Sequence, residues 1–200
     1  MSGTFPTANF TTMNWQSNNN IVTTETLTNK IYSKDIGGHY WSLTLKSIPL
    51  SRADFDSIWV FIIQQKGTFD TFYLKPPQIN STKGTFSNSS GTNLPVTSSG
   101  AVGATTVGVT PNGSGTLKAG DIIKFDNHDK VYTITADVNL SNTIANTIDI
   151  FPALVTAITT NEKVITENVT LKVRLQNDVQ EFKTNVNNLY EYEIDVRESL

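Results

Sequence analysis

The chain has 200 residues and a formal net charge of −3, with 38% hydrophobic and 10% aromatic residues. Only 16% of the residues are charged, against roughly 25% in an average soluble domain. This slightly acidic balance argues against non-specific nucleic-acid binding, which needs a basic surface. The absence of cysteine excludes disulfides, a thiolate nucleophile and a cysteine-ligated zinc site. The many Thr and Asn residues favour strands and turns and exclude a mainly helical fold.

Targeting signals are not apparent in the sequence. No stretch approaches the ~20 consecutive apolar residues of a membrane-spanning helix. The first residues, Met1–Pro6, lack the basic and apolar segments of a secretory signal. We therefore expect synthesis and folding in a cytoplasm, with no membrane insertion.

Two stretches near the N-terminus alternate apolar and polar residues and predict a β-hairpin. They are Ile21–Ser33 and His39–Ile48, and Gly37 and Gly38 supply a turn between them. A polar, Asn-rich segment, Thr11–Asn20, precedes the predicted hairpin.

A single helix is predicted over residues 51–65. Ser51 stands three residues before Asp54, as in an N-terminal capping box, and Gly67 supplies a C-cap. Apolar residues cover most of the circumference of this helix, which predicts burial on more than one side. The second side would be covered by another subunit or by the inserted module described below. The candidate subunit-interface residues are Phe55, Ile58, Trp59, Phe61, Ile62 and Ile63.

Short strands separated by Gly and Asn turns dominate the rest of the chain. A tract rich in Gly, Ser, Thr and Asn, Asn80–Gly115, lies among them. The hairpin at Leu117–Thr135 turns at Asp126–Asp129. The further predicted strands are Phe69–Leu74, Ala101–Thr110, Thr147–Phe151, Val155–Thr159, Val169–Leu175 and Leu189–Val196.

These elements predict a mainly β protein with two parts. Residues 1–80 and 164–200 would form a β-sandwich domain with one helix and a hairpin. Residues 81–163 would form an inserted, small β-barrel-like module, because their strands are short and closely spaced.

Few residue groups suggest chemistry. Asp126, His128 and Asp129 form the one metal-like group, although a turn rich in Asp and Asn is also expected for backbone reasons. Asp54 and Asp56 could form a catalytic pair, but carboxylates in a first helical turn also interact with the helix dipole. We therefore predict no catalytic, cofactor or metal site and no enzymatic activity.

Aromatic side chains could line a sugar-binding site. Trp15, Tyr132 and Phe151 are candidates, and Tyr132 and Phe151 lie in the predicted inserted module. Packing in a core or an interface is the alternative for each of them. A module that binds a host-surface carbohydrate is therefore a second functional hypothesis.

Two motifs of the predicted first domain resemble the tail-tip proteins of long-tailed bacteriophages. One is the run Trp41–Phe55, in which a strand leads into a helix, and the other is Phe69–Pro77, a strand that ends in a Pro pair. Residues 117–132 and 177–195 are similar to phage tail structural proteins. The resemblance covers roughly 40–78 and 117–198 and is strongest to the distal tail proteins, including the M-type minor tail proteins.

This resemblance implies a structural protein of the virion. The split domain would form a ring, expected to be a hexamer, that joins the tail tube to the baseplate hub or tail tip. The inserted module would lie outside the ring, and viral DNA would be only passing cargo. Assembly would take place in the cytoplasm of the host bacterium.

Overall fold

The computed structural model describes residues 3–88 and 94–200. Residues 89–93 of the predicted tract Asn80–Gly115 lie outside the described residues. The described chain is mainly β with one α-helix, as predicted. The elements in chain order are β1 Phe10–Asn18, β2 Ile21–Glu25, β3 Ile31–Asp35, β4 Tyr40–Ser47, α1 Arg52–Gln64, β5 Phe72–Leu74, β6 Thr106–Val109, β7 Gly115–Leu117, β8 Ile122–Phe125, β9 Val131–Ile134, β10 Val138–Leu140, β11 Asn146–Phe151, β12 Val164–Ile165, β13 Leu171–Leu175, β14 Phe182–Thr184 and β15 Tyr190–Glu198.

The chain divides into two compact units. Unit 1 contains residues 6–72 and 173–199, and unit 2 contains residues 3–5 and 73–172. The chain passes from one unit to the other within β5 and again within β13. The domain boundaries after residues 80 and 163 stay a prediction.

The main sheet of unit 1 is antiparallel and has the order β1-β4-β15-β13, with β14 paired to the first part of β15. Alternate residues of β4 and β15 are buried, including Leu43, Leu45, Ile194 and Val196. Such period-two burial gives the sheet one apolar face and one polar face.

The N-terminal strands differ from the predicted pairing. The segment Thr11–Asn20 contains most of strand β1, and β1 is the strand that pairs with β4. The prediction that Ile21–Ser33 is one strand paired with His39–Ile48 is wrong, because this stretch folds back on itself as the β2–β3 hairpin. A register shift between Phe10 and Thr12 interrupts the alternation of apolar and polar residues in β1. The strand is therefore difficult to recognise from the sequence.

Unit 2 contains a five-stranded sheet of order β12-β8-β9-β11-β6 and a two-stranded sheet of β7 and β10. The predicted hairpin within 117–135 is confirmed by the pairing of β8 with β9. The predicted strand Val155–Thr159 is wrong: this stretch is irregular and pairs only through a bridge at Ile158.

The strands of unit 2 do not close into a barrel within the part of the chain that is described. The irregular segment 94–97 nevertheless hydrogen-bonds on both sides of the open sheet. The Val96 N–H donates to the Glu162 carbonyl beside β12 (3.0 Å), and the Thr97 N–H donates to the Gly108 carbonyl of β6 (2.9 Å). The core of unit 2 is apolar and fully buried at Val109, Leu117, Ile123 and Phe125.

Candidate functional site

The helix of unit 1 starts as its sequence predicts and ends slightly earlier. Ser51 is the N-cap, and its hydroxyl accepts a hydrogen bond from the Asp54 N–H (3.4 Å) and donates one to the Asp54 carboxylate (2.7 Å). Gln65, not Gly67, is the C-cap. Lys66 is already in the left-handed region at φ 53°, and Gly67 follows at φ 64°. The backbone therefore leaves the helical conformation at Lys66, one residue before the glycine that was expected to end the helix.

Three of the six candidate interface residues on the helix pack inside unit 1. Phe55, Ile58 and Ile62 are 2%, 4% and 1% exposed. Their spacing of three and four residues places them on one helical face. This face packs in the core of the protomer itself. A neighbouring subunit could therefore contact only the other faces of the helix.

Aromatic rings join the buried helical face to the sheet. The Phe55 ring stacks on the Tyr190 ring of β15, with 4.9 Å between centroids. The Trp59 ring meets the Phe182 ring of β14 edge to face, with 5.0 Å between centroids. These contacts fix the helix on the start of β15 and on β14.

The outer face of the helix exposes apolar side chains. Ile63, one of the candidate interface residues, is 51% exposed, and Val60 is 47% exposed. They are three residues apart and share one face. Trp59 and Phe61 lie between these extremes and are half-buried. The sequence pattern did not single out Val60, because the pattern cannot tell which part of an all-round apolar helix the protomer covers.

Strand β1 leaves one edge of the main sheet unpaired within the described residues. Its nine residues contain no charged side chain and no proline. Natural sheets usually protect such an edge with Lys, Pro or a covering element, because free backbone groups can pair with another chain. The edge can therefore accept a strand of another chain.

The outward face of the main sheet is polar. Thr44 donates to the Asp195 carboxylate (2.6 Å), and Asn18 donates to the Ser42 hydroxyl (2.8 Å). Beside this face lies a groove of about 630 Å³ in unit 1. Its charged lining residues are Lys46, Asp178, Glu181, Lys183, Glu191, Glu193 and Asp195. Carboxylates outnumber ammonium groups in this groove, so its surface repels anions.

The two candidate sugar-binding residues of unit 2 differ in access. Tyr132 is fully buried, and its hydroxyl binds His128 Nε2 (2.8 Å) and accepts from the Val155 N–H (3.2 Å). Phe151 is 39% exposed. Of these two residues, only Phe151 is therefore accessible to a ligand. In unit 1, the Trp15 ring packs on the Trp41 ring, with 5.3 Å between centroids.

The carboxylates of the turn Asp126–Asp129, the metal-like group of the sequence, bind other residues of the protein. Asp129 pairs with Lys124 (2.7 Å) and Lys172 (3.3 Å), and the Asp126 carboxylate accepts from the Lys163 N–H (2.8 Å). Burial opposes ionisation of Asp129, but its contacts with the two lysines hold the pKa of this carboxyl below its usual value. The structure shows no metal-binding group of three such side chains among the described residues.

The carboxylates of the first helical turn also have structural partners. Asp54 takes part in the N-cap, and Asp56 faces Arg52 at 3.6 Å, where both side chains are exposed. This arrangement agrees with stabilisation of the helix terminus. Among the described residues, no helix is both long and apolar enough to cross a membrane.

Comparison with known proteins adds a finding on residues 84–169. This segment matches the family model described as "Distal tail protein pb9, B domain". The match covers less than half of the chain and lies in unit 2. It takes in residues 84–116, which lay outside the resemblance seen in the sequence. No curated protein matches the chain. The family match confirms the resemblance of this segment to the distal tail proteins of bacteriophages and supports a structural role in a phage tail.

Proposed function

We propose that the chain forms a ring of six copies at the distal end of the tail, between the tail tube and the baseplate hub or tip. The observation that carries the proposal is the distal tail protein match within unit 2. Unit 1 supports it with two surfaces suited to self-association: the uncharged edge of β1 and the exposed apolar pair Val60 and Ile63.

The edge of β1 would give the ring its backbone contacts. A strand of the next copy can pair with this edge and satisfy its free N–H and C=O groups. Such a contact joins two different surfaces, so repeating it with a closing rotation makes a ring. Val60 and Ile63 would add apolar contacts, because burying two such side chains against a neighbour removes them from water.

The distribution of charge supports passage of DNA through the ring. Unit 1 carries eight Lys and Arg residues against eleven Asp and Glu residues, whereas unit 2 carries seven of each. The whole net charge of −3 therefore belongs to unit 1. A bore lined by the polar face of the main sheet and its acidic groove would repel the phosphate backbone, so DNA would pass without adhering.

Imaging of the virion tests this proposal. A gold-labelled antibody against the chain, used on intact phage, should mark the end of the tail away from the capsid. Cryo-electron microscopy of the same tails should place six copies around the axis at that level. Label along the whole tail or on the capsid would contradict the proposed position.

Binding of a host-surface carbohydrate by unit 2 is the second candidate function. The observation that favours it is the partial exposure of Phe151. A glycan array probed with the full chain tests it. Binding that is lost in Phe151→Ala would support this function, and the absence of binding to any glycan would remove it.

A further inference from the structure

The β2–β3 hairpin of unit 1 forms a two-stranded sheet of its own. Every residue of both strands is exposed. The hairpin joins β1 to β4 through short links, and the Ile36 N–H donates to the Asn20 carbonyl at its base (2.9 Å). Gly37 and Gly38 leave it with φ 81° each, a conformation that residues with a side chain rarely adopt.

The pairing register divides the side chains of the hairpin into two faces. Ile21 pairs with Asp35, and Glu25 pairs with Ile31, so these four residues share one face. This acidic face has two carboxylates and two isoleucines. Paired residues in an antiparallel ladder lie on the same side of the sheet.

The opposite face carries the opposite charge. Val22 pairs with Lys34, and Thr24 pairs with Tyr32. Lys30 stands opposite Thr26, whose N–H donates to the Lys30 carbonyl (2.9 Å), and it continues this face beyond Tyr32. The basic face therefore has two ammonium groups together with Val22 and Tyr32.

An isolated hairpin of this kind has little stability of its own in water. Its large apolar side chains are nevertheless unusually accessible: Ile21 is 55%, Val22 51%, Ile31 66% and Tyr32 62% exposed. Each face has apolar residues to bury and charges of one sign to neutralise. The basic face of the hairpin complements the acidic face in charge and also carries apolar side chains.

We propose that the acidic face of the hairpin in one copy packs on the basic face of the hairpin in the next copy. The isoleucines would lie against Val22 and Tyr32, and Glu25 and Asp35 would lie near Lys30 and Lys34. This contact joins unlike surfaces, so it can repeat around a ring when the rotation between neighbouring copies closes. The inference rests on the proposed ring and names a contact that the edge of β1 and the helix do not supply.

Charge reversal tests the contact in the full chain. Variant A, Glu25→Lys with Asp35→Lys, makes both faces basic, and variant B, Lys30→Glu with Lys34→Glu, makes both faces acidic. Like charges would then oppose each other at every contact. Each variant alone should need about tenfold or more protein for half-maximal assembly, measured by mass photometry.

Two combinations should restore assembly. Equal amounts of A and B can alternate around a ring with an even number of copies, and one chain with all four substitutions has its two faces exchanged but still complementary. The control variant, Asp149→Lys with Glu167→Lys, changes net charge as A does at two positions of unit 2 that are not buried. It should assemble as the unaltered chain does. Circular dichroism should show the same fold for every variant.

The outcomes separate this contact from the ring itself. If the unaltered chain assembles and A and B assemble equally well, the hairpin contact is wrong while the ring proposal stands. Loss of assembly in A and B without rescue by mixing or by the fourfold variant also overturns the contact. An unaltered chain that stays monomeric contradicts both proposals.

Discussion

The ring of Phe55 on the helix lies nearly parallel to the ring of Tyr190 on β15, at 15° between their planes and 4.9 Å between their centroids. Phe55 is 2% exposed. A residue that the sequence offers as a subunit contact therefore holds the helix to the sheet within one protomer. Stability and assembly consequently depend on different faces of the same helix.

Replacement of Phe55 should destabilise the protomer. Phe55→Ala removes a buried ring and leaves a cavity, which typically costs about 3–5 kcal/mol in the free energy of unfolding. Chemical denaturation followed by tryptophan fluorescence measures this loss. Val60→Ala is the matched control on the exposed face and should change the free energy by less than about 0.5 kcal/mol. Equal effects of the two substitutions would refute the assignment of faces.

Charges on the outer helical face should act on assembly alone. Val60→Asp with Ile63→Asp places two carboxylates where the proposed ring buries apolar side chains, and burial of unpaired charges is strongly unfavourable. We expect monomers in mass photometry, with a melting temperature close to that of the unaltered chain. Rings that persist with both aspartates would show that this face does not contact a neighbour.

Lysines on β1 should block the sheet edge. Asn14→Lys with Gln16→Lys introduces the residue type that natural edge strands use against pairing. Assembly should weaken, while the protomer keeps its fold, because both positions are exposed. Thr147→Lys on the exposed side of β11 in unit 2 is the control and should leave assembly unchanged. Undiminished assembly of the β1 variant would exclude this edge from the interface.

His128 should make stability depend on pH. Burial, and then the charge of Lys124, lowers the pKa of His128 from its usual value of 6.5. Below pH 6.5 the unfolded chain binds a proton that the folded chain resists, so stability should fall as the pH drops from 7 to 5. Asp and Glu in model peptides have pKa values of about 3.9 and 4.3, below this window.

A matched variant assigns this effect to the histidine. His128→Gln cannot titrate, so its melting temperature should change less between pH 7 and 5 than that of the unaltered chain. Identical pH profiles for the two proteins would show that His128 does not cause the loss.

Local patterns predicted several elements well. The capping residues Ser51 and Asp54 located the helix, and the turn at Asp126–Asp129 located the hairpin of unit 2, because both signals act over a few residues. Strand β1 was not predicted, because its outward face is polar and a register shift interrupts the alternation of its apolar and polar residues. Which strand would pair with β4 could not be read from periodicity, which is a property of one strand and not of its partner.

The candidate surfaces show the same limit. Periodicity placed Phe55, Ile58 and Ile62 on one apolar face of the helix. Only the position of β14 and β15 shows that the protomer itself buries this face. Tyr132 is an aromatic residue of the type that binds sugars, yet packing against residues distant in the sequence buries it completely. The two charged faces of the β2–β3 hairpin depend on its pairing register. The prediction of Ile21–Ser33 as a single strand did not include this pairing.

The proposed ring is tested most directly by counting the copies of the chain in the assembly. Native mass spectrometry of the purified full chain at micromolar concentration measures the mass of the assembly. We predict a single closed species with six times the mass of the protomer. A stable monomer, or a series of open oligomers of every size, would contradict the account.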